Sequence, residues 1–107
     1  MKFLTIGHFK DTYYTIPPEE RNKIGLATLE YDIELKKKMG DKLHFFSAPG
    51  NEGMLVLIME VDSVEELAQI YSQVPIVQAG FFKYESYPLI EAEVNSFEAR
   101  LAAYKAG

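Results

Sequence analysis

Met54-Leu55-Val56-Leu57-Ile58-Met59-Glu60 decides the architecture. An unbroken apolar run of this length between turn residues suits a strand and is short for a helix. On a strand, successive side chains point to opposite sides, so Met54, Val56 and Ile58 share one face and Leu55, Leu57 and Met59 the other. An antiparallel sheet with one wet face alternates apolar with polar, and this strand does not. Both of its faces therefore call for cover.

Immediately before it, Pro49-Gly50-Asn51-Glu52-Gly53 has the chemistry of a turn, and Leu43 to Ala48 reads as the preceding strand. If the turn pairs Ala48 with Met54, His44 falls opposite Ile58, with Glu60 its diagonal neighbour on the same face. Further upstream, Pro17-Pro18-Glu19-Glu20-Arg21 opens a helix, with prolines in the first turn and acids at the positive dipole end. Ile24, Thr28, Tyr31, Leu35 and Met39 recur at helical spacing, and Leu26, Leu29 and Ile33 widen the apolar stripe. Gly25 inside this helix implies a close backbone approach to the sheet, and Gly40 is a natural stop. Glu34 and Lys38 form an i,i+4 pair, and Lys36-Lys37-Lys38 reads as a solvated helix end. Phe3 to Phe9 is the first strand, followed by a tyrosine-bearing loop from Lys10 to Ile16.

Downstream, Ser63 and Glu66 are spaced as a capping box. Leu67, Ile70, Tyr71 and Val74 line a second helix that Pro75 ends. Gly80 to about Ile90 reads as the fourth strand, with Pro88 marking an edge, bulge or crossover. A last helix from Asn95 to Lys105 carries Val94, Phe97, Leu101 and Tyr104 on one side.

The order β-α-β-β-α-β predicts a ferredoxin-like α+β fold. Its antiparallel four-stranded sheet has the third strand between the first and second, both helices on one face, and a C-terminal helix beyond. Two helices cover one face, and the economical cover for the other is a second copy of the same sheet. The expectation is thus a dimeric α+β barrel, with residues 1–107 as one domain and a C-terminal extension from about residue 91.

Composition narrows the function. The 107 residues carry 16 acids against 11 bases, a formal charge of −5, and no clustered Lys/Arg surface for nucleic acid. Cysteine is absent, which excludes disulfides, thiolate nucleophiles and Cys-ligated metals and fits a reducing compartment. Neither a signal peptide at the start nor a membrane-length apolar run is visible, so a cytoplasmic protein is expected. No Gly-rich phosphate loop or G-x-S-x-G element occurs, and His8 and His44 lack metal-ligand spacing. Nothing in the sequence specifies a metal or a cofactor.

Ile58-Met59-Glu60-Val61-Asp62-Ser63, then Glu66-Leu67, then Ser72-Gln73-Val74-Pro75-Ile76, together with Gly40 four residues before His44, resemble the dimeric α+β barrel superfamily. The likeness is greatest to its muconolactone isomerase-like branch, over roughly residues 1 to 90. That resemblance implies cofactor-free proton transfer beside a carbonyl, as in an isomerase or cyclase acting on an apolar metabolite.

Such chemistry needs a group that titrates near neutrality or a carboxylate tuned by its surroundings. The candidate proton carriers are His8, His44 and Glu60. His44 and Glu60 share one face, while His8 ends a strand parallel to that of His44 and so belongs toward the other end. The alternatives are a strand-edge histidine for His44 and a surface acid for Glu60. Tyr13, Tyr14 and Tyr84 are candidate hydroxyl donors in an aromatic-walled site for an apolar, ring-bearing ligand, and Lys83 could bind a carboxylate or face water. The competing expectation is a non-catalytic ligand-binding or structural barrel.

Overall fold

The computed structural model describes residues 1–90 and 94–107. Its order is β1 (Lys2–Phe9), α1 (Pro18–Met39), β2 (Leu43–Ser47), β3 (Met54–Glu60), α2 (Val64–Ser72), α3 (Pro75–Gln78), β4 (Phe82–Leu89) and α4 (Val94–Ala106), with short 3₁₀ turns at Asp11–Thr15 and Gly40–Lys42. The sheet order is β2-β3-β1-β4, every neighbouring pair antiparallel. This is the α+β ferredoxin-like arrangement expected, with β3 between β1 and β2. The hairpin register is also the expected one, with His44 opposite Ile58.

β3 shows why the fold is two-layered. Leu57 and Met59 are buried beneath the helices with Phe3, Leu43, Val61, Leu67 and Tyr71. Val56 and Ile58, on the other side, stay half-exposed beside Leu4 and Ile6 of β1. Phe46 and Tyr87 lie on that same open side and are 49% and 46% exposed. The apolar second face is therefore present and uncovered in the single chain.

The helix ends follow local chemistry. Gly40 takes a φ of 56°, which side chains disfavour, and its N–H donates to the Lys36 carbonyl. Lys36 Nζ then donates to the carbonyls of Gly40 and Leu43, so the first lysine of the basic run closes the helix rather than facing water. The surface ion pair is Lys37–Glu34 at 3.4 Å, in place of Glu34–Lys38. At α2 the Ser63 hydroxyl accepts from the Glu66 N–H at 3.1 Å, while the Glu66 carboxylate takes the N–H of Asp62, one residue before the cap.

Four further expectations change. Leu26, Leu29 and Ile33 do not widen the buried stripe of α1; they are 61%, 62% and 54% exposed, because the stripe is only as wide as the sheet and short helices beneath it. Gly25 faces the Tyr13 hydroxyl rather than the sheet. Pro75 ends nothing, since α2 has already closed at Ser72. Instead it sits in the first turn of α3, where its missing N–H has no partner to lose, and the Ile76 N–H donates to Thr28 Oγ1 of α1 at 3.1 Å. β4 consequently starts at Phe82, after Gly80 turns the chain at a φ of 80°. Phe97, Leu101 and Tyr104 of α4 are exposed. The side chain of Val94 and the start of the extension at residue 91 lie outside the described residues.

Candidate functional site

A cavity of about 50 Å³ lies between the sheet and the helices. The sheet supplies Thr5, Phe9, Phe45, Leu55, Leu57, Phe82 and Tyr84 as its floor. The helical layer supplies Asp32 from α1, Tyr71 from α2, Val74, and Ile76 and Val77 from α3. The alternation of each strand explains the floor: these are the positions in phase with buried Phe3 and Met59.

Asp32 is the chemical surprise of this cavity. It is a half-buried carboxylate facing mostly carbon, and among the described residues no hydrogen bond or ion pair reaches its oxygens. Burial penalises the charged form and pushes its pKa from 3.8 up to about 6. Its neighbour Tyr31 donates to the Ile70 carbonyl at 2.8 Å, and is itself pushed up by burial and by the Asp32 charge.

Across the cavity, Tyr71 O–H donates to Thr5 Oγ1 at 2.5 Å, and Thr5 Oγ1 lies 2.9 Å from Ser86 Oγ. Burial raises the Tyr71 pKa; the Thr5 hydroxyl offsets part of that, and Tyr84 adds to it. The Tyr71 and Tyr84 rings are 4.8 Å apart.

One end of the cavity is closed by aromatic rings. Phe82 lies across Gly7, where a Cβ would sit 2.1 Å from its ring, so only glycine lets this ring lie flat on β1. Phe9 meets Phe82 edge-on at 5.5 Å and stacks on Tyr13 at 5.3 Å. Tyr14 and Phe81 continue the cluster. The Tyr13 hydroxyl donates to the Arg21 carbonyl at 3.2 Å, which ties the loop to α1.

The expected site residues divide between the two faces. Tyr84 lines the cavity, and Tyr13 and Tyr14 belong to the aromatic cluster at its end. His8, His44, Glu60 and Lys83 are exposed on the open face, on the far side of the sheet. There His8 stands opposite Met54 and Lys83, and a shallow depression of about 280 Å³ is lined by Ile6, His8, Lys83, Tyr84 and Glu85. His44 and Glu60 are diagonal neighbours, as expected, with no hydrogen bond or ion pair between them, and Glu60 stands opposite Lys2. His8 lies two register steps of the same face away from His44.

Asp32 was missed because it sits between apolar Tyr31 and Ile33 and reads as a surface acid. The available signal was its spacing: it lies four residues after Thr28 and seven before Met39, on the flank of the inward stripe. Among the described residues no group of His, Asp and Glu could hold a metal ion. No described helix is long and apolar enough to cross a membrane.

No known family and no curated protein matches the chain. Solved structures do. The chain is similar to 5-chloro-2-hydroxyhydroquinone dehydrochlorinase (TftG) from Burkholderia phenoliruptrix AC1100, solved in complex with 2,5-dihydroxybenzoquinone, at a TM-score of 0.61 and 19% identity over 86% of this chain and 96% of that one. It is also similar to an antibiotic biosynthesis monooxygenase, at a TM-score of 0.46 and 15% identity over 85% of this chain and 100% of that one. The first likeness establishes a shared α+β ferredoxin-like fold.

Proposed function

We propose that this protein moves a proton, without a cofactor, on a small apolar carbonyl compound held between the sheet and the helices, with Asp32 as the proton carrier. The observation that carries the reading is a carboxylate whose pKa burial has pushed up to about 6 inside an aromatic-walled cavity. A base of that strength is half-ionised close to neutrality and can both take and return a proton. In the reaction, the carboxylate takes a C–H proton beside the carbonyl. The C–H electron pair becomes a C=C bond, and the carbonyl π pair moves onto oxygen. In a β,γ-unsaturated carbonyl the oxygen pair then re-forms C=O, the new C=C shifts into conjugation, and the γ-carbon takes the proton back from Asp32, which completes an isomerisation with no net reagent. In a saturated ketone the proton returns to the same carbon and the step is seen as exchange.

The cavity is small for a ring. An apolar cavity that accepts benzene is on the order of 150 Å³, against about 50 Å³ here. A six-membered ring therefore enters only if side chains of the wall, such as Phe9, Phe82 and Tyr84, give way. The experiment is α-proton exchange in D₂O, followed by NMR, for small cyclic ketones and lactones. Wild type is expected to exchange, with a rate rising through about pH 6 as Asp32 ionises, and Asp32→Asn to be at background. Exchange that persists undiminished in Asp32→Asn would remove this assignment.

A second reading keeps His8, His44 or Glu60 as the carrier and Lys83 as an anion partner. The depression beside His8 and Lys83 on the open face favours it. That face has the half-exposed apolar residues a homodimer would cover, and a second copy would turn the depression into an enclosed site. His8→Ala, His44→Ala and Glu60→Ala in the same exchange assay separate the two readings.

A further inference from the structure

We propose that Tyr71, backed by Thr5 and Ser86, is the group that holds the substrate's carbonyl oxygen, and that the site takes an uncharged cyclic ketone and refuses carboxylates. This deepens, and rests on, the reading of the helix–sheet cavity as the reaction site.

The argument starts with hydroxyl protons. Thr5 is 1% exposed and, among the described residues, is the buried polar one of the core. It accepts the Tyr71 proton, which leaves its own single proton available to Ser86. The Thr5–Ser86 contact works with either partner donating. The row can therefore reverse: Ser86 donates to Thr5, Thr5 donates to Tyr71, and the Tyr71 proton is freed to point at a ligand oxygen. No buried hydroxyl loses its partner in the exchange. As negative charge develops on that oxygen, the reversed row supports it through two further donors.

Charge selects the ligand. Asp32 and Tyr71 line the same cavity, and none of its lining side chains is basic. An anionic ligand would be desolvated beside a carboxylate with no cation to meet it. Lys83, the residue the sequence suggested as a carboxylate partner, stands on the opposite face of the sheet. A neutral ring with one carbonyl oxygen, entering once the aromatic wall has yielded, would offer its oxygen to Tyr71 and an α-proton to Asp32, which line the same cavity. Tyr71 thus touches the substrate, whereas Thr5 and Ser86 act through it as positioning residues.

The test compares binding of cyclohexanone, its oxygen-free isostere methylenecyclohexane, and cyclohexanecarboxylate by NMR titration. Wild type is expected to prefer the ketone to the hydrocarbon by about tenfold and to show no carboxylate binding. Tyr71→Phe keeps the ring and is expected to erase the ketone preference, with exchange falling about 100-fold. Thr5→Val keeps the shape and is expected to leave ketone binding intact while exchange falls about tenfold, a loss in turnover rather than in binding. Asp32→Asn is expected to lose exchange and keep the ketone preference, so failure of the proton-transfer reading shows up separately. Equal binding of ketone and hydrocarbon in wild type, no binding of either at millimolar concentration, or a ketone preference that survives Tyr71→Phe overturns the proposal.

Discussion

Asp32 is held in surroundings that resist its charge, and this links stability to pH. Its folded pKa, about 6, lies above its ordinary value of 3.8, so folding takes up a proton between those values. The stability this contributes is complete below about pH 4 and is lost as pH rises through about 6. Asp32→Asn removes the penalty on the charged form. It is expected to stabilise the protein at pH 8 by about 1–2 kcal/mol, a figure reduced for partial solvent access. At pH 4 it should change little, and thermal melts at both values check this. Gly7 is equally exposed to test. Gly7→Ala drives a methyl into the Phe82 ring, and a loss of about 1–3 kcal/mol is expected in urea denaturation. At this scale the sequence is least legible. His8, His44 and Glu60 stand out by residue type and strand position, and their neighbours along β3 were readable from the turn. What makes Asp32 unusual is the carbon that the sheet, α2 and α3 bring to it from residues 5 to 84, and no local window contains that.

The elements were far more legible, because their signals are local. The turn at Pro49–Gly53 set the β2–β3 register, and Gly40 and Ser63 marked helix ends that the structure keeps. Ser63→Ala removes the hydroxyl that accepts the Glu66 N–H and is expected to cost about 1 kcal/mol, measurable as a lower urea midpoint with an unchanged slope. α3 was not legible. A proline is compatible with a helix end and with a helix start, and the deciding contact, Ile76 N–H to Thr28, joins residues 48 apart in sequence. The inward face of α1 was overestimated for a related reason. Periodicity reports that Leu26, Leu29 and Ile33 are apolar, and only the layer beneath determines which apolar rows are covered.

At the scale of the molecule, the doubly apolar β3 was the clearest message in the sequence, and the uncovered side of the sheet is where the single chain shows it. If a second copy covers that side, sedimentation of wild type at micromolar concentration gives a dimer. Val56→Lys and Ile58→Lys, which charge the middle of the open face without touching the buried Leu57 and Met59, should then give folded monomers. A wild-type monomer would set the homodimer aside and leave the cavity chemistry of Asp32 and Tyr71 standing, since both belong to one chain. How two such sheets could meet is restricted by their margins. β4 forms one border, where Pro88 offers no N–H and Lys83 alternates with Glu85, and β2 forms the other with only five residues. Neither rim is a good template for another strand, so any copies that do pair are steered away from growing sideways into a continuous ribbon, and the open face is the surface left for them to close on like two palms.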